Sequence, residues 1–131
     1  MSAATPIVVV AAVIERDGTY LLTLRPRGSH LAGHWEFPGG KREPHETDAE
    51  ALRRELHEEL DILAEVGDLV HAVTHAYGDR TVELRFYACA FQGAPKPMIG
   101  QDVRWVARQD LPGLPFPEAD ADLIRLLAGP V

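Results

Sequence analysis

The 131-residue chain carries 20 Asp and Glu against 13 Lys and Arg, a formal net charge of −7, with 46% hydrophobic residues and one cysteine. That length suits a single domain, residues 1–131, with a real core. The acidic balance speaks against a nucleic-acid partner, and one cysteine, Cys89, excludes an intramolecular disulfide. No stretch approaches the ~20 consecutive apolar residues of a membrane span, so a cytoplasmic protein with no membrane partner is expected.

In chain order, "IVVVAAVIERDGTYLLTLRPR" is two apolar runs joined by Asp17-Gly18, a strong hairpin signal. A Gly- and Pro-rich segment, "GSHLAGHWEFPGGKREPHE", is expected to be loop, leading to a helix from about Thr47 to Leu60. Thr47 with Glu50 three residues on forms a capping box. Two strands should flank Gly78-Asp79, and "DVRWVA" is a shorter strand. "PEADADLIRLLAG" has a helical apolar pattern at Ala119, Leu123, Leu126 and Leu127, with a glycine stop. Strands dominate with two helices between them, an α+β or layered α/β/α arrangement around a mixed sheet.

The first helix carries the chemistry. At ~100° per residue, Leu52, Leu56 and Leu60 share a stripe with Ala49 that should pack on the sheet. Glu55, Glu58 and Glu59, spaced i, i+3, i+4, converge on an adjacent face, with Arg54 on another side where it could reach back to Glu46. A solvated face is the plain reading of such a run, yet like charges at i, i+4 destabilise a helix. Hard divalent cations want oxygen ligands, and a glycine loop before the helix can offer a backbone carbonyl. Both readings fit the spacing. Cys89 fits a small strand residue, Trp35 and Trp105 fit packing, and His71 and His75 share a strand face without pointing to zinc.

From Gly40 the pattern runs Gly, five residues, Glu46, seven residues, then Arg54-Glu55-Leu56-x-Glu58-Glu59-x-Asp61-Ile62. It resembles the Nudix box, departing from it at Asp61, where the family has glycine. Asp tolerates the left-handed conformation this position requires, at a modest stability cost. The resemblance implies a Nudix fold, an α/β/α sandwich, and hydrolysis of a nucleoside diphosphate linked to another group with Mg²⁺ or Mn²⁺. It implies that Glu55, Glu58, Glu59 and the Gly39 carbonyl hold metal and that Glu55 serves as base. Glu46 and Arg54 would keep loop and helix in register.

Beyond the box, the chain is similar to the MutT-like branch, which acts on nucleoside triphosphates. "WEFPGGK" precedes the box, "YGDRTVEL" resembles the strand pair beside the base, and "LPFPEADADLI" resembles the closing segment. The likeness implies phosphate contacts from Arg25 and Lys41 and nucleoside contacts from Phe37, Tyr77, Arg80, Val82, Phe116 and Asp120. A monomer is the default for this branch. Two departures bear on the analogy. Ile99 stands where such enzymes often carry another metal-binding glutamate, and Asp120 stands where the oxidised-guanine enzyme has asparagine. An ionised aspartate only accepts hydrogen bonds, which suits the N1–H and N2 amino group of guanine. Protonated, it suits cytosine, and the CTP branch has Asp here. The expected activity is triphosphate cleavage to monophosphate and pyrophosphate, in cleansing the nucleotide pool, with 8-oxo-dGTP first and CTP or 5-methyl-dCTP as the alternative. A non-catalytic nucleotide-binding module is the rival from another class, disfavoured by a complete set of box carboxylates.

Overall fold

The computed structural model describes residues 6–25, 28 and 32–129, with Tyr77 described by its backbone alone. β1 (Ile7–Val13) and β2 (Glu15–Arg16) lead through a tight turn to β3 (Thr19–Leu24). In that turn both Asp17 (φ 50°) and Gly18 (φ 78°) adopt positive φ, the geometry that matches strand twist in a two-residue hairpin. Only the two residues of β2 pair across it, Glu15 with Tyr20 and Arg16 with Thr19. The long run of β1 instead joins another sheet.

That sheet has the order β5-β1-β7-β6, with β5 (Gly39–Lys41), β6 (Glu65–Tyr77) and β7 (Arg80–Ala90). β1 is parallel to β7 and antiparallel to β5, so the sheet is mixed, as expected. In the second sheet β8 (Asp102–Ala107) runs along the whole of β3, whose other edge takes β2 and then β4 (Trp35–Glu36). The segment expected to be loop thus contains two short strands, β4 and β5. Its residues 29–31 lie outside those described.

Alternation along β1 divides the core between two layers. Val10, Ala12 and Ile14 face the first helix, α1 (Asp48–Leu60), with Leu52, Leu56 and Leu60 at 0% exposure. Ala11 and Val13 face Leu123 and Ile124 of the second helix, α2 (Ala121–Ala128). Each fully buried leucine contributes roughly 1.5–3 kcal/mol relative to exposure. Ala51 is buried in the α1 stripe where Ala49 was expected; Ala49 is half-buried. On α2 the stripe is Leu123 and Ile124, while Leu126 is 57% exposed. A 3₁₀ turn over Glu118–Asp120 precedes α2; within α2 itself Leu123, Ile124 and Leu127 share one face, and Leu126 lies off it. Cys89 and Trp35 are buried core residues, and Trp105 packs against the α1-side core.

Both halves of the capping box form. Thr47 Oγ1 accepts from Glu50 N–H at 3.1 Å, and Glu50 Oε1 accepts from Thr47 N–H at 2.9 Å. At the other end Asp61 takes φ 54°, and its N–H donates to the His57 carbonyl at 3.1 Å. The left-handed conformation expected for this position is present. Because a Cβ there costs about 1 kcal/mol, Asp61→Gly should raise unfolding free energy by about that amount. A urea titration checks it; no gain would mean that contacts of the exposed Asp61 side chain offset its backbone cost.

Candidate active site

The site is built where β5 passes beneath α1. β5 pairs with β1 so that Ala11 opposes Gly39 and Val10 opposes Gly40. A Cβ on Gly39 would lie 2.0 Å from the Val10 carbonyl oxygen, and one on Gly40 would lie 2.4 Å from the Glu55 carboxyl carbon. A side chain at 39 would run into β1 backbone, and one at 40 would have to displace the end of the Glu55 side chain. The bare strand lets an acidic helix face sit directly against it.

Glu55 and Glu59 are separated by i, i+4 and point the same way, lining a cavity of about 600 Å³. Glu58 is rotated ~100° from Glu59, is not part of that lining, and lies 3.5 Å from Arg54 Nη1. Arg54 is the hub of this face. Its Nε donates to Glu46 at 2.7 Å, Nη2 to Glu46 at 2.8 Å and to the Lys41 carbonyl at 3.2 Å, and Nη1 to Glu55 at 3.0 Å. The Arg54 hydrogen bonds, with one from Glu43 N–H, hold Glu46 down at about pKa 2. The same carboxylates raise the pKa of Arg54.

Glu59 lacks such a partner. Burial first, and then the neighbouring Glu55, push its pKa up to about 8. At neutral pH this pair of carboxyls retains a proton, as like charges in one pocket must when no cation is present. Among the described residues no three acidic, histidine or cysteine side chains are already drawn together at metal-holding distance. The donor set nevertheless suits a hard divalent cation: carboxylate oxygens from Glu55 and Glu59, Glu58 at the edge, and the bare backbone of Gly39 and Gly40. A cation would displace the retained proton and relieve the repulsion.

The far end of the cavity is apolar with one buried acid. Phe37 is 4% exposed, meets Phe86 edge-on at 6.0 Å and stacks on Phe116 at 5.7 Å. Val82, Leu84 and Pro117 complete the wall. Asp120, 5% exposed, also lines it; burial, then the nearby Glu36, raise its pKa to about 7, with Arg25 acting in the opposite sense. Arg25 lines the cavity from the end of β3, with its Nε 3.0 Å from Glu36, and Lys41 lines it from β5.

Of the residues singled out from the sequence, the cavity gathers Arg25, Phe37, Gly39, Lys41, Glu55, Glu59, Val82 and Asp120. Phe116 is not in the lining; it supports the Phe37 ring. Arg80, exposed where β7 begins, also lies outside the lining. The Tyr77 side chain falls outside the described residues. Glu36 was missed. It stands on β4 between the two ends, and its charge acts on both Glu59 and Asp120. The signal available was its polar place between Trp35 and Phe37, an acid flanked by two core aromatics. Ile99 lines the cavity as an apolar residue, 58% exposed.

A layered mixed sheet with an acidic, glycine-backed helix at one end of a nucleoside-sized cavity defines a class of phosphate-anhydride hydrolase. A model of the NUDIX domain matches residues 9–126, and the chain belongs to the Nudix family. It is 42% identical over 121 residues to the CTP pyrophosphohydrolase of Escherichia coli K12, spanning 92% of this chain and 88% of that one. It is 38% identical over 124 residues to the 8-oxo-dGTP diphosphatase of Haemophilus influenzae, spanning 92% and 91%. The crystal structure of a MutT Nudix hydrolase from Burkholderia pseudomallei superposes with a TM-score of 0.82 at 33% identity, covering 92% of this chain and 97% of that one. The protein is thus a Nudix pyrophosphohydrolase acting on nucleotides, from a family that generally uses a divalent metal. Among the described residues, no helix is long and apolar enough to cross a membrane.

The buried acid makes a test independent of catalysis. Asp120 at about 7 compares with ~4 in an unfolded chain. Between those values the folded protein holds the extra proton, so this group makes stability fall as pH rises through 7. Asp120→Asn removes the charge, and its stability relative to the parent should improve from about pH 5 to about pH 8 in urea titrations. Parallel profiles would show that Asp120 is not the buried acid.

Proposed function

We propose that the protein is a Mg²⁺- or Mn²⁺-dependent nucleoside triphosphate pyrophosphohydrolase that cleanses the nucleotide pool. The observation that carries this reading is one cavity of about 600 Å³ whose lining includes both the Glu55 and Glu59 carboxyls and the apolar side chains of Phe37, Val82 and Leu84 beside Asp120. Glu55, Glu59 and the Gly39 carbonyl, with Glu58 at the edge, would hold the metal. When bound, the metal supplies charge stabilisation for the phosphoryl transition state. Arg25 and Lys41 contact the phosphates. Glu55, within reach of the metal end, accepts the proton of a water whose oxygen attacks the β-phosphorus. The bond from the β-phosphorus to the bridging oxygen of the α-phosphate breaks, releasing monophosphate and pyrophosphate. Arg54 and Glu46 keep Glu55 aimed, and Phe37 and Val82 form the wall for the base.

Two base readings belong to this site. Ionised Asp120 accepts from the two adjacent donors of 8-oxo-guanine. Protonated Asp120 donates to N3 of cytosine and accepts from its amino group. At a pKa of about 7 the acid form is about half populated at neutral pH, so the protonated reading is available to the free site. The 42% identity to a CTP pyrophosphohydrolase agrees with it. Cytidine triphosphates, 5-methyl-dCTP included, therefore stand ahead of 8-oxo-dGTP.

A panel of the common (d)NTPs, 8-oxo-dGTP, 5-methyl-dCTP, ADP-ribose and a diadenosine polyphosphate, compared by kcat/KM with Mg²⁺, tests the substrate. Higher kcat/KM for cytidine nucleotides supports the protonated reading, and a clear lead for 8-oxo-dGTP reverses the order. No phosphate release across the panel, with pyrophosphatase present, would leave only a nucleotide-binding module. Glu55→Gln should lower kcat by orders of magnitude without unfolding the chain; near-parental turnover removes Glu55 as base. Asp120→Asn should reorder the bases more than it changes kcat on the best one.

A further inference from the structure

Glu59 is the next-to-last residue of α1, where a helix ordinarily frays because its last carbonyls have no partner within it. Here the segment between β7 and β8 closes that end. Lys96 N–H donates to the Leu60 carbonyl at 2.8 Å, and Met98 N–H donates to the Glu59 carbonyl at 3.0 Å. Gln101 Nε2 donates to the same Glu59 carbonyl at 3.0 Å, using its second lone pair. Gln101 Oε1 in turn accepts from Ile99 N–H at 3.2 Å. Its side chain is 6% exposed, one of three buried polar residues among those described.

One buried amide therefore fastens two parts of the cavity wall to each other. On one side is the backbone of Glu59, whose carboxyl lines the metal end. On the other is the backbone of Ile99, whose side chain lines the same cavity. We propose that Gln101 is a positioning residue that holds the last turn of α1 and the Ile99 wall in register for divalent-cation binding. Gln101 lies outside the Nudix box, and it is not part of the cavity lining. It acts through the backbone of Glu59, much as outer partners orient a ligating group. The inference rests on the metal-dependent reading above.

The experiment is a Mn²⁺ titration of the full chain followed by electron paramagnetic resonance, with urea titrations alongside. Gln101→Met fills the same space and loses both hydrogen bonds. Gln101→Glu keeps the acceptor for Ile99 N–H and loses the donor to Glu59, and it serves should the methionine variant fail to fold. In both, the Mn²⁺ dissociation constant should rise about tenfold. An amide that is merely structural would lower the unfolding midpoint and leave Mn²⁺ affinity alone, so parental affinity in either folded variant overturns the role. If the parent chain itself bound no Mn²⁺, the metal reading would fall and this inference with it. Parental Mn²⁺ binding with unchanged variants removes the inference alone.

Discussion

Glu55 can occupy its place only because residue 40 has no side chain, and strand β5 can lie against β1 only because residue 39 has none. These two close approaches set the distance between sheet and helix at the site. With that distance fixed, the leucine stripe of α1 reaches the core on one side, and its acidic face meets bare backbone on the other. A larger residue at 39 would push against the backbone of β1, which cannot give way, whereas one at 40 would displace the carboxylate end of Glu55 from its present place.

Close approach brings like charges together, and the fold balances them unequally. Arg54 serves Glu46, Glu55 and Glu58 at once, and Glu46 is held well below the usual carboxylate range. Glu59 is left with burial and a carboxylate neighbour. An apolar replacement would be more comfortable in the free protein, since unpaired buried charge is costly. The strain is concentrated where a cation would remove it. The guanidinium ties Glu46, Glu55 and Glu58 to one hub and leaves Glu59 as the carboxyl of this face without a cationic partner among the described residues.

Much of this was legible in the chain because the signals are local. The capping box at Thr47, the left-handed Asp61, the Asp17-Gly18 turn and the spacing of Glu55 and Glu59 each depend on a few neighbouring residues. What escaped depends on residues distant in sequence. Nothing near Ile7–Val13 says that it runs parallel to Arg80–Ala90 and not back along its hairpin neighbour. Glu36 looked like one polar residue in a Gly- and Pro-rich loop, because the pairing of β4 with β3 places it. On α2 two stripes fit the leucines, 123/124/127 and 123/126/127, and only packing on the distant β1 residues selects the first, so Leu126 faces outward and Ile124 inward. Arg80 matched a motif, yet its place at the exposed start of β7 keeps it out of the cavity lining.

The two ends of the cavity are not electrically independent. Glu36 raises the pKa of Asp120 at the aromatic end and adds to the repulsion on Glu59 at the carboxylate end, while Arg25 pairs with Glu36 and counters it at Asp120. Phosphate groups drawn to Arg25 would therefore compete for the cation that partly neutralises Glu36. Freed of that pairing, Glu36 would act more strongly on Asp120 and favour its protonated form. Cation binding between Glu55 and Glu59 would work the other way, as positive charge screens Glu36 from its neighbours. On the proposed reading, the proton on Asp120, and hence the hydrogen-bond pattern offered to a base, would be set jointly by the two ends of the loaded site, with half-buried Glu36 as the group that links them.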